Sequence, residues 1–273
     1  MITSTDNRTK YIRLGFYILL GVVVFWSSSD LSITWERFVS SFPKVAKIFS
    51  LMIPPDLSTE MITRVFIKLE ETIWIAWVGT IIGIIFSIPL GFLASSNLFP
   101  NFVWGPFKSL LVIIRAIPEL IIAYVLIPIT GLGALTGTLA IGIGSIGTLG
   151  KWQSELSEEV DFGQREAVIA TGATSVVESR WAVLPQVLPS LLSFYLYRFE
   201  INIRASAILG LIGAGGIGAE LLGQFQYRDF PRAGTVVLFT VLVVVIIDEI
   251  SSRIRSKIIA VSYTHLTLPT SHL

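Results

Sequence analysis

The side chains best able to do chemistry stand inside apolar sequence. Arg115 and Glu119 lie four residues apart in the run Phe107 to Ile129, with Lys108 near its start and Pro118 between them. A continuous helix would put Arg115 and Glu119 on one face. A second apolar run, Gln186 to Ile212, holds Arg198, Glu200, Asn202 and Arg204. Ionisable groups are costly in lipid, so they face a bundle interior or a watery path, usually with partners. Two readings follow. In one, the arginines draw a phosphate-like anion along a path, aided by backbone dipoles freed at Pro118. In the other they are neutralised structurally, Arg115 by Glu119 and Arg198 or Arg204 by Glu200.

Other chemistries lack residues. The chain has no cysteine, which removes disulfides and thiolates, and its two histidines, His265 and His272, lie near the C-terminal end. That leaves no credible metal set. Gly147-Thr-Leu-Gly150-Lys151-Trp152 has the wrong spacing for a nucleotide-binding Walker loop, and Trp152 replaces the Ser or Thr. Gly213-Ala-Gly215-Gly216-Ile-Gly218 has no strand-helix-strand context for a dinucleotide. A net charge of +1 without a basic patch offers nothing to nucleic acid.

The elements that must position these residues are membrane helices. Of 273 residues, 53% are hydrophobic and only 14% charged; soluble domains carry about 25% charged residues. The sequence is that of an all-α integral membrane protein. Leu14 to Trp26 reads as an N-terminal anchor, with Arg8, Lys10 and Arg13 on its inner side. Residues 30–71 carry mixed charges and read as an outer connector, in which Phe42 to Ile53 is either an interfacial helix or a plain link. Thr72 to Ala94, Phe107 to Ile129, Gly131 to Gly150, Gln186 to Ile212 and Ala233 to Ile247 read as further spans, making six in all. Gly133 and Gly137 suit close helix packing. With both termini cytoplasmic, Arg253, Arg255 and Lys257 also lie inside. Val261 to Leu273 carries no Lys, Arg, Asp or Glu and resembles translated adapter sequence; it reads as a non-native tail, with a genuine polar tail as the alternative, and either way stands outside the fold.

One polar island, Ser154 to Pro185, interrupts the apolar sequence and must lie outside the bilayer. Asp161 with Gln164, and Ser175 with Glu178, have capping-box spacing. They predict helices over 162–171 and 176–183, with Gly172 as the left-handed bend between them. Pro185 would close the second. Glu166, Ala167 and Ala170 give the first helix a surface that another protein could approach closely.

The island resembles the coupling loop of ABC importer membrane subunits. Glu166-Ala167-Val168, Gly172 and Leu184-Pro185 keep that loop's spacing, with Val168 in place of its second Ala and Ala182 in place of its Ile. The alternative is an ordinary helical hairpin loop. From Leu69 to Arg253 the chain is similar to phosphonate-type importer permeases. The similarity rests on Arg115-Ala-Ile-Pro-Glu119, Gly131-Leu-Gly133, Gly150-Lys151, Leu184 to Pro189, Tyr197 to Ser206, and Gly213, Gly215, Gly216 and Gly218.

This resemblance implies a type I ABC importer fold. A five-helix core, 69–253, would follow an anchor and connector, 1–68. Residues 151–185 would be the cytoplasmic coupling loop and 254–260 a basic cytoplasmic end. It also implies a bacterial inner-membrane permease for phosphonate, phosphite or phosphate, working as a homodimer or with a second permease. An ATP-binding subunit would hold ATP and Mg, leaving this chain without a cofactor, and an extracytoplasmic protein would deliver substrate. Glu166, Ala167, Gly172, Leu184 and Pro185 would couple to the ATPase. Gly213, Gly215, Gly216 and Gly218 would form a gate or a close-packed segment. A same-fold permease for methionine and a membrane enzyme acting on a phosphate or lipid are the alternatives.

Overall fold

The computed structural model describes residues 4–30 and 35–266, and every regular element among them is a helix. The chain divides into two units, 1–53 and 54–273. The first contains α1 (Ser4–Asp30) and α2 (Trp35–Leu51). α2 is amphipathic and begins before the expected Phe42, carrying Pro43 in its interior.

The second unit contains α3 to α11. α3 (Thr59–Leu93) is capped by Ser58, whose hydroxyl accepts from the Met61 N–H. It starts well before Thr72, so Glu60, Arg64, Lys68, Glu70 and Glu71 are helical rather than part of a connector. The expected boundary at residue 68 falls inside this helix. Lys68 pairs with Glu71, and Arg64 with Glu60 and Glu220, so the early turns carry their own counter-charges.

The expected span Phe107 to Ile129 is broken. α4 (Asn101–Ala116) and α5 (Glu119–Thr130) meet at 87°. Pro118 pushes the preceding residue out of the helical region, and Ile117 is extended accordingly. α6 (Ala134–Glu158) starts after Gly131 and Gly133, both at positive φ. Gly133 and Gly137 therefore do not share one helical face as expected.

α7 (Phe162–Ile169) and α8 (Ser175–Glu178) follow. One π-helical turn, Ser179–Val183, then leads into α9 (Leu184–Gly210). α10 (Gly216–Gln226) occupies part of the expected loop before the last span, and α11 (Phe230–Leu266) is much longer than Ala233 to Ile247. Of the expected non-native tail, 267–273 lie outside the described residues.

Three described helices are long and apolar enough to cross a membrane: Thr9–Ser27, Thr59–Leu93 and Phe230–Ile258. The bent α4–α5 pair makes a fourth. α6 and α9, expected as the remaining crossings, have 25 and 27 residues but more polar sequence. Packing accounts for this. α6 touches α3, α4, α5 and α9, and α9 touches α3, α6, α10 and α11. A helix surrounded by protein can carry polar groups that find partners there.

The α3–α6 contact rests on a stripe of small residues. Gly79, Gly83, Ser87, Gly91 and Ser95 recur every fourth position and are all buried. A Cβ at Gly79 would meet Ile141 Cγ2 at 2.8 Å, and one at Gly91 would meet Gln153 Cβ at 2.9 Å. At Gly83 it would run into Ser145 Cβ. Backbones this close also bond across: Gln153 Nε2 donates to the Ile88 carbonyl at 2.8 Å and Ser154 Oγ to the Ala94 carbonyl at 3.0 Å.

Replacing Gly83 with Leu should force α3 and α6 apart and cost about 1–3 kcal/mol, the range for overpacking. Thermal unfolding of the purified chain in detergent measures this. Gly105→Ala is the control, because no atom lies within 4 Å of a Cβ there, and it should leave the melting point unchanged or raised.

Candidate functional site

Two arrangements place the predicted residues. The first is a buried polar hub at the middle of α6. Arg198 of α9 is only 5% exposed. Its Nε donates to Ser145 Oγ at 3.0 Å and its Nη2 to Glu119 Oε1 at 2.7 Å. Asn202, one turn along, donates from Nδ2 to the same Ser145 hydroxyl at 3.0 Å and to Thr80 Oγ1 at 2.8 Å. Helices α3, α5, α6 and α9 are thus joined through four side chains and one serine. Gly144 leaves the space for Glu119, since a Cβ there would stand 2.8 Å from Glu119 Cγ.

The expected Arg115–Glu119 pair does not form. The break at Ile117 and Pro118 turns the two residues off a common face, and Glu119 goes to Arg198. The expected Arg204–Glu200 pair does form, at 2.8 Å. Glu200 has a second cation, Arg255 of α11, also at 2.8 Å, and Arg204 reaches Asp248 at 3.3 Å. The sequence reading had placed Arg255 only in the cytoplasmic end. Its spacing gave no hint of the pairing, which joins residues on separate helices.

The second arrangement is the island. Asp161 caps α7 as expected, but through the Gly163 N–H at 3.0 Å. α7 ends at Ile169 rather than 171. Gly172 has φ +79° and donates its N–H to the Ile169 carbonyl at 2.8 Å, as the left-handed bend requires. Ser175 and Glu178 do not form a capping box. Thr174 is the cap residue of α8, and Glu178 is buried against Arg165, 2.7 Å from its Nε. The Arg165 Nη2 donates to the Asn97 carbonyl at 2.6 Å, tying α7 to the segment after α3. The sequence reading missed Arg165; its only trace was the spacing attributed to capping. Pro185 does not close a helix. It sits in the first turn of α9, directly after the π-helical turn through which the helix runs on from α8.

Glu166 and Ala167 are exposed on α7. Around them Phe162, Ile169, Val176, Val177 and Trp181 are also exposed. Among the described residues Glu166 has no ion-pair partner. The island therefore presents exposed apolar side chains together with the unpaired Glu166 carboxylate, held on an internally bonded scaffold.

Gly213, Gly215 and Gly216 have positive φ and lead into α10. The Ile217 N–H donates to Thr72 Oγ1 at 2.7 Å, and Gly218 lies against the Ala207 carbonyl, so the segment packs tightly on α3 and α9. Nearby in the fold, Arg232 pairs with Asp56 at 3.2 Å, and the Thr235 hydroxyl donates to the Asp56 carbonyl at 2.8 Å. The Ser58 backbone N–H, then its hydroxyl, then Arg232 hold the Asp56 carboxyl below the usual carboxylate range, against the opposing effect of burial. No group of His, Asp and Glu among the described residues could hold a metal ion.

Glu119→Gln should leave Arg198 without its counter-charge. Breaking a fully buried pair costs about 3–5 kcal/mol; Glu119 keeps 33% side-chain exposure, so the lower end is expected. A drop in melting temperature in detergent would register it. Glu119→Leu combined with Arg198→Met should recover part of the loss, because no unpaired charge remains.

The chain matches the family described as binding-protein-dependent transport system inner membrane component over residues 87–256. It is 39% identical to the phosphate-import permease protein PhnE of Mycolicibacterium smegmatis over 81% of this chain and 42% of that protein. It is 36% identical to the phosphite transport system permease protein PtxC of Stutzerimonas stutzeri, over 92% of this chain and 94% of that one. The chain thus spans less than half of the first relative and nearly all of the second. Among solved structures, a chain of an inward-facing methionine ABC transporter matches with a TM-score of 0.66 at 24% identity, over 74% of this chain and 99% of that one. That likeness concerns the fold, and it is the type I ABC permease fold. By the extent of these matches, the chain belongs to the family of inner membrane components of binding-protein-dependent transport systems.

Proposed function

We propose that this chain is the permease subunit of an ATP-driven importer for a phosphorus oxyanion: phosphonate, phosphite or phosphate. The observation that carries the reading is the near full-length 36% identity to a phosphite transport permease. Relatives named as D-methionine permeases stand lower, at 26% and 30% identity over 69% and 64% of the chain. Membership in a family of transport components leaves the membrane-enzyme reading without support.

In this reading α1, α3, the α4–α5 pair, α6, α9 and α11 cross the bacterial inner membrane, with both termini in the cytoplasm. α6 and α9 tolerate their polar residues because these are paired inside the bundle. An extracytoplasmic binding protein delivers the anion, and a second permease copy completes the path. The apolar surface around Glu166 docks on an ATP-binding subunit, which holds ATP and Mg. Closure of that subunit pushes α7, and the Arg165 contacts to Glu178 and Asn97 carry the push to α8 and the end of α3. Rigid transmission suits a helix pair pinned by a buried ion pair.

The test is ATPase activity of this chain reconstituted in lipid with its ATP-binding and substrate-binding proteins. Methylphosphonate, phosphite, phosphate and methionine are added separately. Stimulation by a phosphorus oxyanion is expected. Stimulation by methionine alone would overturn the substrate, and failure to assemble with any ATPase would overturn the coupling surface.

Gly172→Val probes the bend. No atom lies within 4 Å of a Cβ at Gly172, so the cost is backbone strain alone, about 1–2 kcal/mol for a left-handed residue. The variant should insert in the membrane and assemble, yet import less substrate per ATP hydrolysed. Unchanged uptake would refute a mechanical role for the bend.

A further inference from the structure

The helix α2 has two faces. At about 100° per residue, Val39, Phe42, Val45, Ala46 and Phe49 fall within one arc of about 120°. All five are exposed, Phe42 to 70% and Phe49 to 63%. Opposite them stand Arg37, Ser40, Lys44 and Lys47. The Ser40 and Ser41 hydroxyls donate to the Arg37 carbonyl, and the Ser50 hydroxyl to the Lys47 carbonyl, so all three are spent within the helix. Lys44 and Lys47 have no ion pair among the described residues.

Chain length ties this helix to the membrane surface. Thr9–Ser27 of α1 has 19 residues, about 28 Å of helix and so close to one hydrocarbon thickness. The chain therefore leaves the core near Ser27. Residues 31–34 alone separate α1 from α2, and fully extended they reach at most about 18 Å. With 17 residues, about 25 Å, α2 is itself too short to cross, and it carries four charges. Helix α1 belongs to the same unit and does not pack along it. An apolar face tethered this close to the headgroups enters the boundary between headgroups and acyl chains, with its basic face toward water.

Two further features favour a lipid surface over a dry protein contact. Pro43 lies inside α2 and has no N–H for the Val39 carbonyl. Val39 stands at the edge of the apolar arc, where water or a headgroup can satisfy that carbonyl; hydrocarbon or a dry interface would leave it bare. The polar face also carries Arg37, Lys44 and Lys47 against Glu36 alone, so the helix is positive and matches anionic headgroups.

We propose that α2 lies in the membrane surface as an amphipathic strap whose partner is anionic phospholipid. Phe42 and Phe49 enter the boundary between headgroups and acyl chains, and Lys44 and Lys47 attract the headgroup phosphates. This decides between the interfacial helix and the plain link that the sequence leaves open. It rests on α1 crossing the membrane, and neither on the substrate nor on which side the N-terminus occupies.

The chain has no cysteine, so single-cysteine variants report single positions. Phe42→Cys, Phe49→Cys, Ser40→Cys and Lys47→Cys are each given a nitroxide label in the full chain. They are reconstituted in vesicles of phosphatidylcholine, with and without phosphatidylglycerol. Collisions of the label with oxygen, which concentrates in lipid, and with a neutral nickel complex, which stays in water, are then compared. In mixed vesicles the oxygen-to-nickel ratio at 42 and 49 should exceed that at 40 and 47 by about tenfold. Phosphatidylglycerol should raise the ratio at 42 by about twofold, and Lys44→Gln with Lys47→Gln should remove that rise. Equal ratios at all four positions would overturn the strap. Shielding of 42 and 49 from both probes would also overturn it, because protein rather than lipid then covers the face. If that shielding appears only when the substrate-binding protein is added, that protein is the occupant instead. No response to phosphatidylglycerol would overturn the assignment to anionic lipid. The readout needs neither ATP nor transport, so the proposed function can fail while this inference stands, and the reverse.

Discussion

A charge in the middle of a membrane bundle must find its partner inside the protein, and Arg198 is where this chain meets that demand. Its guanidinium takes Glu119 from the broken α4–α5 segment and Ser145 from α6. Asn202 extends the same set to Thr80 of α3. These bonds fix the rotation of four helices, because a slip of one residue would leave a charged group against hydrocarbon. The kink at Pro118 belongs to the same arrangement. Without it Glu119 would sit over Arg115, and Arg198 would have no counter-charge.

Close approach of the helices makes the hub possible. The short side chains along α3, from Gly79 to Ser95, bring its backbone against α6. Glycines on the other side of α6 do the same for α4 and α5: Gly144 admits Glu119, and Gly147 lies against the backbone at Arg115. Serine and threonine hydroxyls then reach across gaps too narrow for larger groups. In lipid the hydrophobic effect does not drive helices together, so packing and such bonds must supply the association. The glycine content of α6 therefore reflects its central place between four neighbours.

At the other end of α6 the polar island is braced rather than loose. Lys108 and the Ser96 N–H both bond to Glu158, Asn97 bonds to the Ser157 carbonyl, and Arg165 bonds to the Asn97 carbonyl. A continuous set of bonds thus runs from α7 to the ends of α3 and α6. Such a segment passes on a displacement instead of absorbing it. Gly172 supplies the left-handed residue in the five-residue link between α7 and α8.

The sequence alone determined the membrane class, the helical class, the island and its bend, and the family resemblance. Composition, run length and local spacing carry these, and they are properties of neighbouring residues. Gly172 was legible because one turn geometry demands one residue type. The Arg204–Glu200 pair was legible because four residues make one helical turn. Tertiary structure alone decided that Glu119 serves Arg198, that Arg255 shares Glu200, and that Glu178 is the buried partner of Arg165 rather than a cap. It also left Arg115 unpaired. Each of these depends on which helix faces which, and on an 87° break whose direction Pro118 does not specify. Pairing across a bundle is settled when all helices pack at once, so no single stretch of sequence contains it.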